Sequence, residues 1–505
     1  METANVTAIP FVRLAEVEIN KPSAGLLGHT HAVKLTALPV MKEKNHLWVA
    51  MSEPDNMKKI ADLSDLTNCY IMPLCADEDD IRFYINEIFG EEAISTIASD
   101  FVVDKRLKDR VETPEFLAEI SSAPAVRLID SLIETGVLHR ASDIHIEPFG
   151  RQLRTRYRVD GDLLTFNTVD LTLLPNIISR LKVMGGMDIA ENRKPQDGHF
   201  TMETGGKNGK IDFRLSTLPT AFGEKAVIRL LYGQSVRLKK DELGFYADDV
   251  EKLTELFKRP YGAIIMTGPT GSGKSTTLNC FLNDLNHESK NIITVEDPVE
   301  TPILGINHVN VERAAGLNFA GALKHILRQD PDVIMIGEIR DEETARIAVQ
   351  AAITGHVVLT TLHTNDAAGV IERLADMGIE PYLTASALNG VISQRLVRRI
   401  CADCAEQDKL SVNQARILGM EAGTPVMKGR GCGHCGFTGY RSRFAVYEYI
   451  IIDEKMRVRM STAPARFAAH IRKKRGLRTT ALRSMIEGKT TADEVIRVLS
   501  RDNIY

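Results

Sequence analysis

The sequence predicts an α/β protein whose C-terminal half carries a largely parallel sheet flanked by helices. Three observations point there. Beyond about residue 240, short apolar runs alternate with loops and helical segments, the pattern of strand–helix crossover units. One of these runs, residues 263–267, passes directly into a glycine-rich loop and then a helix. Ahead of them, from about 113 to 235, strands show period-two alternation and tight-turn signals, the mark of a separate α+β domain.

At 505 residues the chain suggests three domains, taking about 150 residues for each. The pattern changes place them at 1–112, 113–235 and 236–505. A hydrophobic share of 44% and a charged share of 26% are those of an ordinary globular protein. The net charge of −4 supplies no global attraction to nucleic acid or anionic lipid, so any such surface must be local. The start, Met1-Glu2-Thr3-Ala4-Asn5, lacks the basic and apolar stretches of a secretory signal. The longest apolar runs are too short to span a bilayer. A cytoplasmic protein is expected, reaching a membrane only through partners.

In the first region, Leu47-Trp48-Val49-Ala50-Met51 reads as a strand and residues 56–66 as a helix. The second region opens with a helix through Val126, Leu128, Ile129 and Leu132. In residues 153–159, Arg154, Arg156 and Arg158 alternate with Leu153, Tyr157 and Val159, giving a half-buried strand with one basic face. Asp160-Gly161 then signals a hairpin, and residues 211–216 alternate again. The polar stretch 233–240 reads as a linker. A capping box, Thr491-x-x-Glu494, is expected to open the last helix.

Gly268, Pro269, Thr270, Gly271, Ser272, Gly273, Lys274 and Ser275 satisfy GxxxxGK[ST] between a buried strand and a helix, with Thr276 following in the helix. The glycines let backbone N–H groups turn toward phosphate oxygens, and the helix N-terminus adds a favourable dipole. Lys274 would neutralise β- and γ-phosphates, and Ser275 would offer its hydroxyl to Mg²⁺. All constrained positions are filled, so this is a phosphate-binding loop rather than a glycine-rich turn, and the nucleotide expected is ATP.

The run Asp332-Val333-Ile334-Met335-Ile336-Gly337-Glu338 is a short buried strand ending in an acid, as in a Walker B element. A second acidic segment, Val295-Glu296-Asp297-Pro298-Val299-Glu300, also follows an apolar strand. Acids at the carboxyl ends of adjacent parallel strands converge on the P-loop crevice. Glu338 and Glu296 are therefore candidates to hold Mg²⁺ or orient water, with the general base left open between them. Glu300 reads equally well as a solvated strand end. His356 and His363 bracket the strand 357–362, where each either senses the γ-phosphate or makes one core hydrogen bond.

Cys401-x-x-Cys404 and Cys432-x-x-Cys435 present four thiolates, enough to close a tetrahedral shell around one structural Zn²⁺. A thioredoxin-like redox pair needs only one such motif. The zinc module is placed at about 398–440, with His434 outside the ligand set. Cys69, Cys75 and Cys280 read as small core hydrophobes.

Further motifs accompany these: Ser142-Asp143-Ile144-His145-Ile146-Glu147-Pro148, Pro195-Gln196-Asp197-Gly198, Ser216-Thr217-Leu218-Pro219, Leu327-Arg328-Gln329-Asp330-Pro331-Asp332 and Gly337-Glu338-Ile339-Arg340-Asp341. The combination resembles the secretion ATPase superfamily, specifically the type II secretion and type IV pilus assembly ATPases, from about residue 33 to the C-terminus. The resemblance implies a RecA-like P-loop domain ending in the zinc module and helices. A PAS-like α+β domain and an N-terminal partner-binding α/β domain precede it. It further implies a homo-hexamer of two-lobed subunits, with ATP between the second and third domains. Arg214 and Arg229 then approach the nucleotide as charge-neutralising arginines, and His356 and His363 become site residues.

The same resemblance implies ATP-driven displacement of an inner-membrane platform protein, with cytoplasmic domains of assembly proteins as further partners. Two departures stand out. Only Arg13-Leu14-Ala15 echoes the opening of the extra helical subdomain that some members use to bind a cyclic dinucleotide, so that regulation is not expected. Thr301 also stands where an aromatic residue is usual. The competing reading is a zinc-ribbon nucleic-acid motor. It needs a basic groove interleaved with aromatics. The basic candidates, residues 154–158 and Arg472-Lys473-Lys474-Arg475, are poor in aromatics, so no nucleic-acid partner is expected.

Overall fold

The computed structural model describes residues 9–501 except 79, 86–87, 90–122, 204–209, 233–239, 241, 313–314 and 474–475. The expected boundary near residue 112, residues 233–239 of the expected 233–240 linker, and Lys474 and Arg475 lie outside the described residues. Two compact units separate: Met1–Gly233 with Arg430–Gly439, and Gln234–Gly429 with Tyr440–Tyr505.

In the first unit, short helices at Lys21–Gly25 and Gly28–Leu35 lead into a three-stranded sheet, β1 (Ala37–Glu43), β2 (His46–Met51) and β3 (Tyr70–Cys75). β2 and β3 run parallel, and the helix Met57–Thr67 connects them, so this is an α/β element as expected. Asn56 starts that helix by accepting from the Lys59 N–H at 3.2 Å.

Six further strands follow: β4 (Asp143–Phe149), β5 (Gln152–Val159), β6 (Asp162–Asp170), β7 (Gln196–Glu203), β8 (Lys210–Thr220) and β9 (Gly223–Leu231). They form one antiparallel sheet in the order β6-β5-β4-β9-β8-β7. The helices Ala123–Leu138 and Leu174–Met184 cover one face, where Leu132, Ile133, Ile177 and Leu181 pack on Ile144, Tyr157, Phe213 and Ile228. Segregating helices to one face is the α+β solution. β5 buries Leu153, Thr155 and Tyr157 and turns its arginines outward, and the hairpin to β6 turns at Asp160-Gly161 as the sequence predicts.

In the second unit the strands are β10 (Gly262–Thr267), β11 (Ile292–Glu296), β12 (Asn307–Asn310), β13 (Val333–Ile336), β14 (Val357–Leu362), β15 (Leu388–Ile400), β16 (Ala405–Lys409), β17 (Pro425–Gly429) and β18 (Tyr440–Ile451). Seven make one sheet, β12-β11-β13-β14-β10-β15-β18, parallel except for the β15–β18 pair. Strands β10, β11, β13 and β14 are buried throughout, which is why they read as unbroken apolar runs rather than alternating ones. Helices 342–353 and 367–376 pack on one face, and helices 247–257 and 274–285 on the other, where the Phe257 and Phe281 rings stack at 4.2 Å.

The last helix, Ala492–Arg501, is capped by only half of the expected box. Thr491 Oγ1 accepts from the Glu494 N–H at 3.2 Å. The Glu494 carboxylate instead takes the backbone N–H and guanidinium of Arg398 and the guanidinium of Arg497. A buried carboxylate gains more from two cations than from one terminal N–H.

Candidate functional site

Parallel strands carry their carboxyl ends to one edge of the sheet, so the loops after β10, β11, β13 and β14 gather there. β10 delivers the phosphate-binding loop and the helix Lys274–Leu285. Gly268 and Gly273 have φ of +146° and +83°. A Cβ at Gly268 would lie 2.5 Å from the Gln394 carbonyl oxygen, and one at Gly273 would lie 2.8 Å from Gln394 Nε2. Glycine is required at both for approach to β15 as well as for backbone conformation. Ser275 and Thr276 are exposed on the first helical turn.

Lys274 is 8% exposed, and its Nζ donates to the carbonyls of Gly268 at 2.8 Å and Pro269 at 2.9 Å. Burial pushes its pKa down to about 8, with Glu338 opposing the shift and Arg395 adding to it. Glu338 therefore sits within electrostatic reach of Lys274. The Glu338 carboxylate accepts from His363 Nε2 at 3.2 Å on one oxygen and from Arg340 on the other. Burial raises its pKa, but the Arg340 hydrogen bond and charge, with His363, more than offset this and hold it below the usual carboxylate range.

The strand ends are laced together beneath these groups. Thr361 Oγ1 donates to the Gly337 carbonyl at 2.7 Å, and the Gly337 N–H donates to the Val295 carbonyl at 2.8 Å. Glu296 ends β11 and is turned inward, 8% exposed. Its Oε1 accepts from Thr294 Oγ1 at 2.7 Å and lies 2.9 Å from His308 Nδ1. The Ile303 N–H donates to His308 Nε2 at 2.9 Å, so Nδ1 carries the ring proton and points it at Glu296. Glu300 is exposed.

His356 does not share this crevice. It precedes β14, its carbonyl accepts from the Gly262 N–H at the start of β10, and its Nδ1 lies 3.1 Å from the Ala351 carbonyl. His363 follows the other end of the six-residue strand, about 20 Å away at the usual rise. The expectation that both histidines reach the site is corrected for His356, because strand direction puts it at the opposite edge of the sheet.

Arg214 and Arg229 are direct cross-strand partners in the first unit, and Arg229 also pairs with Asp143 of β4. Arg229 Nε donates to Asp143 Oδ1 at 2.9 Å. Arg154 and Arg156, one of the basic candidates, are committed to the buried Glu147. Arg472 is likewise engaged by Glu372 and Asp366. Among the described residues of the two runs, Arg154, Arg156 and Arg472 are thus taken up by carboxylates.

Cys401, Cys404, Cys432 and Cys435 bring their Sγ atoms within 4.8 Å of one another. Cys432 and Cys435 Sγ are 3.8 Å apart. That matches the edge of a tetrahedron with metal–sulfur bonds of about 2.3 Å. Backbone N–H groups of Cys432 and Gly439 donate to Cys435 Sγ at 3.2 Å. The donor set thus fits a closed structural metal centre. His434 stands outside it, bonded to Asp80. Of the remaining cysteines, Cys69 is buried and Cys75 and Cys280 are half-buried.

Sequence reasoning missed Arg340, His308, Gln394 and Arg395. Gln394 and Arg395 had a signal, since they are polar residues inside the apolar run of β15. His308 had none, because its partner Glu296 is reached only through sheet pairing.

The Type II/IV secretion system protein family profile matches residues 118–497, and the MshEN domain profile matches residues 7–95, so similarity begins ahead of residue 33. A type IV pilus assembly ATPase PilB of Myxococcus xanthus is 39% identical over 97% of this chain and 88% of its own. A type II secretion system protein E of Pseudomonas aeruginosa is 44% identical over 78% of this chain and 79% of its own. Among solved structures, the pilus retraction motor PilT with bound ADP matches 74% of this chain and 96% of its own at 26% identity, with a TM-score of 0.50. The Legionella pneumophila ATPase DotB shares the fold at 22% identity, covering 74% of this chain and 96% of its own with a TM-score of 0.55. Among the described residues no helix is long and apolar enough to cross a membrane. The chain belongs to the Type II/IV secretion system protein family and is an ATPase of that family.

Proposed function

We propose that this ATPase works as a Mg²⁺-dependent homo-hexamer that drives assembly of a type IV pilus or a type II secretion pseudopilus. Its partners would be an inner-membrane platform protein and cytoplasmic domains of assembly proteins. The protein would be cytoplasmic and held at the inner membrane by them. The observation that carries this reading is the Glu338 carboxylate, held by His363 and Arg340 on its two oxygens at the sheet edge that bears the phosphate-binding loop.

Lys274 supplies the cation for the β- and γ-phosphates, and backbone N–H groups of residues 270–276 supply the cradle. Ser275 and Glu338 are the residues that would hold Mg²⁺, whose chemistry is to neutralise charge between the β- and γ-phosphates. Glu338 also orients the attacking water, and His363 fixes the Glu338 carboxylate. Glu296, held by Thr294 and His308, forms the second acidic wall. Arg214 and Arg229 meet the developing phosphate charge when the second domain closes on the nucleotide, from the same subunit or a neighbour. Cys401, Cys404, Cys432 and Cys435 would hold Zn²⁺, which would fix the fold there.

The test is Mg²⁺-dependent ATP hydrolysis by the purified protein, with particle mass measured in parallel. Turnover by a six-chain particle is expected. Hydrolysis that needs DNA or RNA would favour a nucleic-acid motor instead. The commitments of Arg154, Arg156 and Arg472 to carboxylates argue against that alternative.

A further inference from the structure

The phosphate-binding loop is not self-supporting. Its back rests on β15, and one side chain there touches it twice. Gln394 is 1% exposed. Its Nε2 donates to the Ser272 carbonyl at 2.8 Å, and its Oε1 accepts from Thr277 Oγ1 at 3.0 Å. One amide thus ties the last turn of the loop to the first turn of the helix Lys274–Leu285, at contacts buried from water.

We propose that Gln394 is a positioning residue for nucleotide binding, holding the Ser272–Gly273 peptide so that the Gly273 N–H faces the phosphates. The reason is peptide geometry. In a planar trans peptide the C=O and N–H point in opposite directions. With the Ser272 carbonyl drawn toward β15, the Gly273 N–H is aimed away from β15, into the mouth of the loop. Gly273 at φ +83° is free to follow, and a Cβ there would strike Gln394 Nε2.

β15 can serve as a fixed back wall because Arg395 anchors it. Arg395 is 4% exposed, and donates from Nη1 to the Gln394 carbonyl at 2.9 Å and from Nη2 to the Asn365 carbonyl at 2.6 Å. The wall is therefore tied to the segment following His363. Preorganising a loop lowers the ordering cost of binding, so the effect belongs in affinity more than in the chemical step.

This inference rests on the P-loop being the nucleotide site, which the wild-type protein tests in the same assay. The experiment measures the affinity of a fluorescent ATP analogue, kcat, KM and melting temperature for wild type, Gln394→Met, Thr277→Val and the double variant. Gln394→Met keeps volume and removes both hydrogen bonds. Thr277→Val removes one and is the gentler change. Gln394→Met is expected to weaken nucleotide binding about tenfold, equivalent to about 1.4 kcal/mol. KM should rise in step while kcat stays within about threefold. Thr277→Val should weaken binding about threefold, and the double variant should add little to Gln394→Met, because both act through one contact. Unchanged affinity in folded Gln394→Met, or in Thr277→Val if the former does not fold, overturns the proposal. So does a loss confined to melting temperature or to kcat. A wild-type protein that binds no nucleotide would instead overturn the P-loop reading itself.

Discussion

His363 Nε2 lies 3.2 Å from Glu338 Oε2, while Arg340 holds the other Glu338 oxygen. The two partners share the work of orienting one carboxylate, each holding one of its oxygens, and His363 does so from a half-exposed position. His363→Ala should therefore lower kcat about tenfold to a hundredfold with little change in ATP affinity. His356→Ala, at the far edge of the sheet, should leave kcat within about twofold. Steady-state kinetics on the pair checks this. Equal losses in both would mean that the sheet-edge argument misplaces them.

Lys274 meets phosphate only as a cation. Its pKa is pushed down to about 8, first by burial, so the cation is lost as pH rises through that value. The kcat/KM profile, which reports the free enzyme, should fall about tenfold per pH unit above about 8. Glu338, held below the usual carboxylate range, should remain ionised through that window. Lys274→Arg keeps its charge at any of these pH values, so whatever activity it retains should lack the alkaline fall. A flat wild-type profile to pH 10 would contradict the assignment.

If the four cysteines hold one structural ion, protein purified without chelator should contain about one Zn per chain. Binding of that kind contributes about 10–16 kcal/mol at neutral pH in zinc-finger peptides. Cys432→Ser should release the metal and increase hydrogen exchange around β16 and β17, which lie between the two cysteine pairs. Metal analysis well below one equivalent would rule the centre out.

Arg214 and Arg229 stand opposite each other on β8 and β9, with Asp143 beside Arg229. As ordinary surface arginines, either could be replaced at a stability change within about 0.5 kcal/mol and without kinetic effect. As groups that meet phosphate charge, their loss should cost a factor of about 10³–10⁵ in kcat, the range for arginine fingers. Arg214→Ala and Arg229→Ala should fold, assemble and bind ATP, yet turn over very slowly. Asp143→Asn should reproduce part of the Arg229 defect by freeing its guanidinium. Wild-type turnover in both arginine variants would remove the second domain from the active site.

The sequence made local features legible and left side-chain meetings across strands hidden. The phosphate-binding loop, the Leu153–Val159 alternation and the Asp160-Gly161 hairpin depend on neighbours within a few residues, so spacing alone reveals them. His356 and His363 looked equivalent because both flank one strand. Only the parallel pairing of β14 with β10 tells which end faces the P-loop. Thr491 and Glu494 matched a local capping pattern, but Arg398, 96 residues away, outcompeted the terminal N–H for the carboxylate. His308 and Gln394 act on Glu296 and the P-loop through sheet neighbours, for which no sequence periodicity exists.

The central claim is that Glu338, at the sheet edge that bears the P-loop, carries the chemistry while the P-loop carries the binding. Glu338→Gln preserves shape and removes the charge, so comparing its ATP affinity with its single-turnover hydrolysis rate tests the claim most directly. ATP affinity within about threefold of wild type, with hydrolysis slowed about 10²–10⁴-fold, is the predicted result. Hydrolysis at the wild-type rate in Glu338→Gln would contradict it.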